Sequence, residues 1–156
     1  MRKIRSRKAV SPVIATVILV AVAITVAVAV SYWMGGITSQ YTTFEKVEIQ
    51  SGVCTWNSTG FWKITLKLKN SGTATSTLNS VFINDIEANT YGQDSASGAN
   101  EVATNMTTST SITSGATTKV NIYVDLGYAS LSAGTTVNIK VHSAGGMDYI
   151  KLIELV

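Results

Sequence analysis

Few residues of this sequence have the type and spacing that catalysis or metal binding requires. His142 is the only histidine and occupies an outward position of a predicted strand, so a metal site or a histidine-based triad has no support. Cys54 is the only cysteine, which excludes an intrachain disulfide. We expect Cys54 to be buried as a small apolar side chain, and the alternative is a disulfide between two chains. Phosphate loops, nucleophile elbows and paired-cysteine motifs do not occur, so we expect no enzyme activity, no cofactor and no metal.

Four acidic residues cluster in sequence around a predicted loop, at Asp85, Glu87, Asp94 and Glu101. Carboxylate oxygens are the ligands that Ca²⁺ prefers, so a calcium site is one interpretation. The pattern favours the other interpretation, a solvated loop with charged side chains.

Two tripeptides match the acceptor for N-linked glycosylation, Asn57-Ser58-Thr59 and Asn105-Met106-Thr107. Both fall in predicted loops, as the modification requires. Such tripeptides also arise by chance in a chain rich in Asn, Ser and Thr. Asn57 and Asn105 are therefore candidate glycosylation sites if the protein is exported.

The basic residues are unevenly distributed. Arg2, Lys3, Arg5, Arg7 and Lys8 are five of the twelve, and the rest of the chain carries seven basic against nine acidic residues. The sequence shows no basic face on the folded part, so we expect no nucleic-acid partner. Basic residues ahead of an apolar segment favour the cytoplasmic side of a membrane.

A long apolar segment follows these basic residues. From Val13 to Val30, 18 residues, the only polar side chains are those of Thr16 and Thr25. The segment is apolar all round, which predicts a helix covered on every side by lipid or by protein.

The ends of this helix carry recognisable signals. Ser11 is predicted to cap the first free amides, and Pro12 suits the first helical position while biasing Ser11 towards an extended conformation. At the other end Tyr32 and Trp33 are typical of a membrane interface. Gly35-Gly36 permits a bend, and we expect the helix to continue to Phe44.

The candidate cleavage site lies before the apolar segment. A secretory signal is cut after its apolar core at small residues, and no convincing site of that kind follows this one. Ala9 is the small residue available, and cleavage there removes the basic leader but keeps the helix.

The stretch RKAVSPVIATVILVAVAITVAVAVSYWMGG resembles the N-terminus of archaeal type IV pilins, which carry a class III signal peptide. The matching residues are Lys8, Ala9 and Val10 at the cut, then Ser11, Pro12, Val13 and Ile14. The resemblance implies cleavage between Ala9 and Val10 by a prepilin peptidase, followed by assembly through a pilus ATPase and a membrane platform. Bacterial pilins have a glutamate soon after the cut, whereas the first acidic residue here is Glu45.

The remainder of the chain alternates between apolar and polar residues with a period of two. Predicted strands cover 45–51, 61–70, 78–87, 117–126, 135–142 and 147–156, and 88–110 is a long polar loop with room for one weak strand. In 61–70 one face carries Trp62, Ile64, Leu66 and Leu68, and the other carries Lys63, Thr65, Lys67 and Lys69. The apolar face carries Val120, Ile122, Val124 and Leu126 in 117–126, and Val137, Ile139 and Val141 in 135–142. The count and the alternation predict an immunoglobulin-like antiparallel β-sandwich, and an α+β chain overall.

The sequence therefore predicts a cleaved leader at 1–9, a hydrophobic helix at 10–44 and a β-sandwich at 45–156. The resemblance implies a subunit of an extracellular adhesive type IV pilus, a homopolymer whose precursor is in the cytoplasmic membrane. A swimming-filament subunit and a monomeric membrane-tethered binding module are the alternatives. The filament core would comprise Val13, Ile14, Val17, Ile18, Val20, Val22 and Ile24.

Overall fold

A computed structural model of the chain describes residues 11–96 and 100–156. The chain divides into two compact units between Thr42 and Thr43. The first contains one α-helix, and the second is a β-sandwich, so the predicted α+β class is confirmed.

The helix α1 spans Pro12–Tyr41, 30 residues, and passes without interruption through Gly35 and Gly36. It ends three residues before the predicted end at Phe44. The backbone of Phe44 instead bonds within the second unit, because its carbonyl accepts the Thr73 N–H at 3.0 Å and its own N–H donates to the Thr73 hydroxyl at 3.0 Å. Phe44 thus belongs to the β unit.

Ten strands form the second unit, six of them long and four short. The long strands correspond to the six predicted segments. The strands are β1 (Val47–Asn57), β2 (Phe61–Asn70), β3 (Ser76–Ile83), β4 (Ile86–Glu87), β5 (Thr90–Tyr91), β6 (Val102–Thr104), β7 (Thr110–Ile112), β8 (Thr117–Asp125), β9 (Thr136–Ser143) and β10 (Asp148–Glu154).

The strands form two sheets. The first has the order β1-β2-β8-β6-β5, and the second has the order β10-β9-β3-β4 with β7 also paired to β3. Every pairing is antiparallel except that of β5 with β6. These two sheets are called the first sheet and the second sheet below.

Alternation along the long strands places one row of side chains in a core between the sheets. The predicted inward residues of β2 and β9 are buried, as are those of β8 as far as Val124. Leu126 is an exception, because β8 ends at Asp125 and Leu126 is 53% exposed. The Leu126 N–H donates to the Gly60 carbonyl at 3.2 Å, which holds it at the rim of the sandwich.

Strand β1 ends at Asn57, six residues beyond its predicted end at Ser51. Its register against β2 shifts between Ile49 and Ser51, which leaves Gln50 as an extra residue. The inward row therefore moves from Val47 and Ile49 to Gly52 and Cys54, and the sequence loses its period of two there.

The predicted loop 88–110 contains β5, β6 and the first residue of β7. Val102, Ala103 and Thr104 of β6 are all buried, since β6 pairs with β8 inside the first sheet. Thr104 is satisfied there because its hydroxyl donates to the Asn121 carbonyl at 2.9 Å. A buried threonine and an alanine do not resemble a strand in sequence, which is why alternation allowed one weak strand in this loop but did not locate β6.

Candidate functional site

The apolar surface of α1 is the most extensive candidate functional feature. Within the described part of the chain, no residue of α1 is buried. The seven residues predicted for a filament core are 54–69% exposed, namely Val13, Ile14, Val17, Ile18, Val20, Val22 and Ile24. The helix is long and apolar enough to cross a membrane. The structure thus leaves these side chains available for an external cover.

The two polar residues of the apolar segment are satisfied within the helix. The Thr16 hydroxyl donates to the Val13 carbonyl at 2.8 Å, and the Thr25 hydroxyl donates to the Ala21 carbonyl at 2.8 Å. A helix in lipid or in a dry bundle has to satisfy its own polar groups, because no water is there to do so. Neither threonine therefore requires a polar partner outside α1.

Ser11 and Pro12 begin the helix in a different way from the one predicted. Ser11 is extended, with φ −55° and ψ 136°, and Pro12 occupies the first helical position, as expected. The predicted cap is wrong, because among the described residues the Ser11 hydroxyl makes no capping hydrogen bond. The Ser11 carbonyl accepts the Ala15 N–H at 3.1 Å, so the proline and this bond set the start. Lys8, Ala9 and Val10 lie outside the described residues.

The end of the apolar segment has exposed aromatic residues and two glycines. Tyr32 is 88% exposed and Trp33 is 66% exposed. A Cβ atom built on Gly35 or Gly36 meets nothing within 4 Å. Packing within the described chain therefore does not require glycine at either position.

Cys54 lies in the β unit, free and 9% exposed. Burial raises the pKa of its thiol, and a high thiol pKa lowers the thiolate fraction available for reaction. This is the environment predicted for a small apolar side chain, and it is unfavourable for a disulfide between chains.

His142 pairs across the second sheet with Asp148, and their Nδ1 and Oδ1 atoms are 2.5 Å apart. Both side chains are partly exposed. The described residues place no cysteine or further histidine with this pair, and no group of three metal-binding side chains occurs among them.

The four clustered acids bond to four different groups. The contacts are Asp85 with Lys140 at 2.9 Å, Glu87 with Tyr91 at 2.9 Å, Asp94 with Tyr123 at 3.4 Å, and Glu101 with Thr90. Because the carboxylates point to separate partners, the described geometry does not bring them together around one ion.

The two candidate glycosylation sites differ in their surroundings. Asn57 ends β1, and its amide oxygen accepts the Thr59 N–H at 3.1 Å in the turn to β2. Asn105 follows β6, and its amide oxygen accepts the Asn121 N–H at 2.8 Å. Both bonds use the oxygen and not the nitrogen that would carry a glycan, so both sites stay predictions.

An apolar recess of about 420 Å³ opens near the C-terminal end of β1. Its lining consists of Trp56, Trp62, Leu126, Leu131, Ser132, Ala133 and Val156. The two tryptophan rings meet edge to face with centroids 5.2 Å apart. The Trp62 indole N–H donates to the Val156 carbonyl at 3.1 Å, which fixes the ring that closes the recess. The recess suits an apolar group.

A basic face does exist on the folded part, contrary to the sequence-based prediction. Strand β2 places Lys63, Lys67 and Lys69 on the outward side of the first sheet, and the pairing of β2 with β8 places Lys119 opposite Lys67. The period of two in β2 indicated the first three. Lys119 joins them only through the register of two strands that are distant in sequence.

Comparisons with known proteins give likenesses to solved structures, two of which are described here, and no sequence family. One is the archaellum periplasmic stator protein FlaG from Sulfolobus acidocaldarius, with a TM-score of 0.48 and 17% identity, covering 70% of this chain and 100% of that one. Another is the archaeal flagellum of Methanospirillum hungatei strain JF1, with a TM-score of 0.45 and 17% identity, covering 94% of each chain. No family model and no curated protein matches the sequence.

Proposed function

We propose that this chain is the structural subunit of an extracellular archaeal type IV pilus that serves in adhesion. The observation that carries the proposal is the surface of α1. Eleven large aliphatic side chains between Val13 and Val30 are 49–70% exposed. Full burial of an exposed side chain of this size contributes about 1.5–3 kcal/mol, and covering these partly exposed side chains contributes about half of that or more for each, so this surface favours a cover over water.

Two covers suit the same helix at different times. In the precursor, lipid surrounds α1, and the basic leader stays on the cytoplasmic side. In the filament, the helices of other copies replace the lipid. Both environments require a helix that is apolar on all sides and satisfied internally, as Thr16 and Thr25 are. Small residues let such helices approach closely, at Ala15, Ala21, Ala23, Ala27, Ala29, Gly35 and Gly36.

Cleavage by a prepilin peptidase between Ala9 and Val10 would release the leader before assembly. The extended Ser11 and the helical start at Pro12 support this step, because α1 begins after the proposed cut. Contacts of α1 with different surfaces on neighbouring copies generate an open helical filament when the rotation between copies does not close into a ring. An assembly ATPase and a membrane platform would drive the transfer from the membrane.

The experiment changes the residue before the cut. Ala9→Phe should give a membrane-bound precursor that keeps its leader and forms no filaments, because a bulky side chain would not fit a subsite for a small residue. Ala9→Gly is the matched control and should be processed. Mass spectrometry of the subunit and electron microscopy of sheared cell-surface material provide the measurements. Normal filaments from Ala9→Phe would contradict the proposal.

The same measurements separate the monomeric alternative, and motility and attachment assays on a deletion strain separate the swimming filament. A monomeric, membrane-tethered module would keep its leader in the unaltered chain and would yield no filaments. A swimming-filament subunit would form filaments, but its deletion would abolish motility and leave attachment intact.

A further inference from the structure

Four lysines form one patch on the outward side of the first sheet, here called the lysine patch (Lys63, Lys67, Lys69 and Lys119). Lys67 and Lys119 are directly opposite each other in the antiparallel pairing of β2 with β8. Lys67 and Lys69 are two residues apart on one strand face, about 6.7 Å. Lys63 lies at the edge of the patch, with its Nζ 5.7 Å from the ring centroid of Tyr123.

The lysines of the patch make no ion pair within the described part of the chain. The ion pairs found there join Lys46 to Glu48, Lys140 to Asp85 and His142 to Asp148, and none includes a lysine of the patch. Glu48 is the acid opposite Lys69, but it is held by Lys46 at 2.8 Å. Hydrogen bonds from Lys46 and Ser71 lower the pKa of Glu48, with smaller contributions from the charges of Lys46 and Lys69.

The patch does not serve the stability of the sheet. Like charges directly opposite on neighbouring strands are destabilising by up to about 1 kcal/mol, and Lys67 faces Lys119 in this way. The rest of the β unit is rich in acids, so the positive charge is local. A local field of this kind attracts a polymer of the opposite sign.

The neighbours of the lysines favour one class of polyanion. Phe61 and Tyr123 share this side of the sheet but are 8% and 3% exposed, so they offer no face on which bases could stack. The outward positions between the lysines hold Thr65 and Asn121, whose side chains bond at 3.0 Å. Hydroxyl and amide groups beside point charges suit a sugar chain that alternates hydroxyls with acidic groups.

We propose that the lysine patch binds an acidic polysaccharide. Such a polymer would be the target of adhesion. Only this role in adhesion rests on the proposed function. Binding itself requires no filament, since all four lysines belong to one β unit. The two proposals can therefore fail separately.

The test measures binding of fluorescently labelled polygalacturonate to the full chain in detergent micelles, as a function of salt. The double variant Lys67→Gln/Lys119→Gln is compared with Lys140→Gln/Lys151→Gln, which removes the same charge from strands of the second sheet. The basic leader is identical in both. The patch variant should bind about tenfold more weakly, and the slope of log affinity against log salt should fall by about two, one for each lysine removed.

Several results would overturn the proposal. Equal losses in the two double variants would show that only net charge matters. Tighter binding of double-stranded DNA than of polygalacturonate at equal salt would replace the polysaccharide with a nucleic acid. If the patch variant has a lower melting temperature, its weaker binding could result from unfolding, and Lys67→Arg/Lys119→Arg, which keeps the charge, is then the test. Wild-type binding by this variant supports the proposal, and weak binding by a folded variant contradicts it.

Discussion

The helix and the β unit contain the same apolar residue types but place them oppositely. In β2, Ile64, Leu66 and Leu68 are fully buried, whereas in α1 Leu19 is 70% exposed and Ile18 is 56% exposed. The β unit covers its own apolar surface between two sheets. The helix has a comparable surface that requires a cover from outside the chain. Under the proposed function, the difference separates residues that fold the β unit from residues that would assemble the filament.

A charged residue in α1 should cause the largest loss of filaments. Ile18→Lys should abolish filaments, because a buried ammonium without a partner is far more costly than any single contact it replaces. The β unit should unfold at its usual temperature. Ile18→Leu is the control and should assemble. The yield of sheared filaments is the measurement, and a wild-type yield from Ile18→Lys would refute a buried helical core.

Truncation of matched leucines tests which unit stabilises itself. Leu66→Ala should lower the free energy of unfolding of the β unit by about 2–5 kcal/mol, since Leu66 is fully buried. Leu19→Ala should leave that value unchanged, because Leu19 belongs to α1. Denaturant titration in micelles, followed by tryptophan fluorescence, measures both. Equal losses would mean that α1 contributes to the stability of the β unit.

Substitutions at Gly36 test how closely the helices approach one another in the proposed filament. Glycine inside a helix costs about 0.5–1 kcal/mol relative to alanine, and a Cβ here meets nothing within 4 Å. Gly36→Ala should therefore assemble normally. Gly36→Leu should fold but give fewer filaments, as judged by electron microscopy. If Gly36→Leu assembles as well as Gly36→Ala, close approach does not occur at this position.

The smallest expected effect concerns the lysine patch. Lys119→Glu places an acid opposite Lys67 and should raise the free energy of unfolding of the β unit by about 0.2–1 kcal/mol at low salt. Lys151→Glu changes net charge equally and should not produce this gain. High salt should remove the difference, because exposed pairs are screened. A stability loss in Lys119→Glu would indicate an attractive partner for Lys119.

The sequence predicts those features whose cause is local. Strands β2, β8 and β9 follow from strict alternation, and α1 follows from an uninterrupted apolar segment after Pro12. The end of β1 was missed because the extra residue Gln50 shifts the alternation by one.

Features that depend on distant pairing could not be predicted in the same way. Strand β6 is buried only because it lies beside β8, and Lys119 joins the lysine patch only through the register with β2. For the candidate assembly surface, the apolar residues from Val13 to Ile24 were found from composition alone. The cut at Ala9 stays a prediction, since a peptidase site is a matter of sequence recognition and lies outside the described residues.

Electron cryomicroscopy of filaments sheared from cells, with sequencing of the subunit N-terminus, tests whether α1 forms the core of a filament. We expect a subunit that begins at Val10, with the helices of residues 12–41 packed against one another along the axis and the β units outside. A chain that keeps Met1 to Ala9 and remains monomeric in the membrane would contradict it.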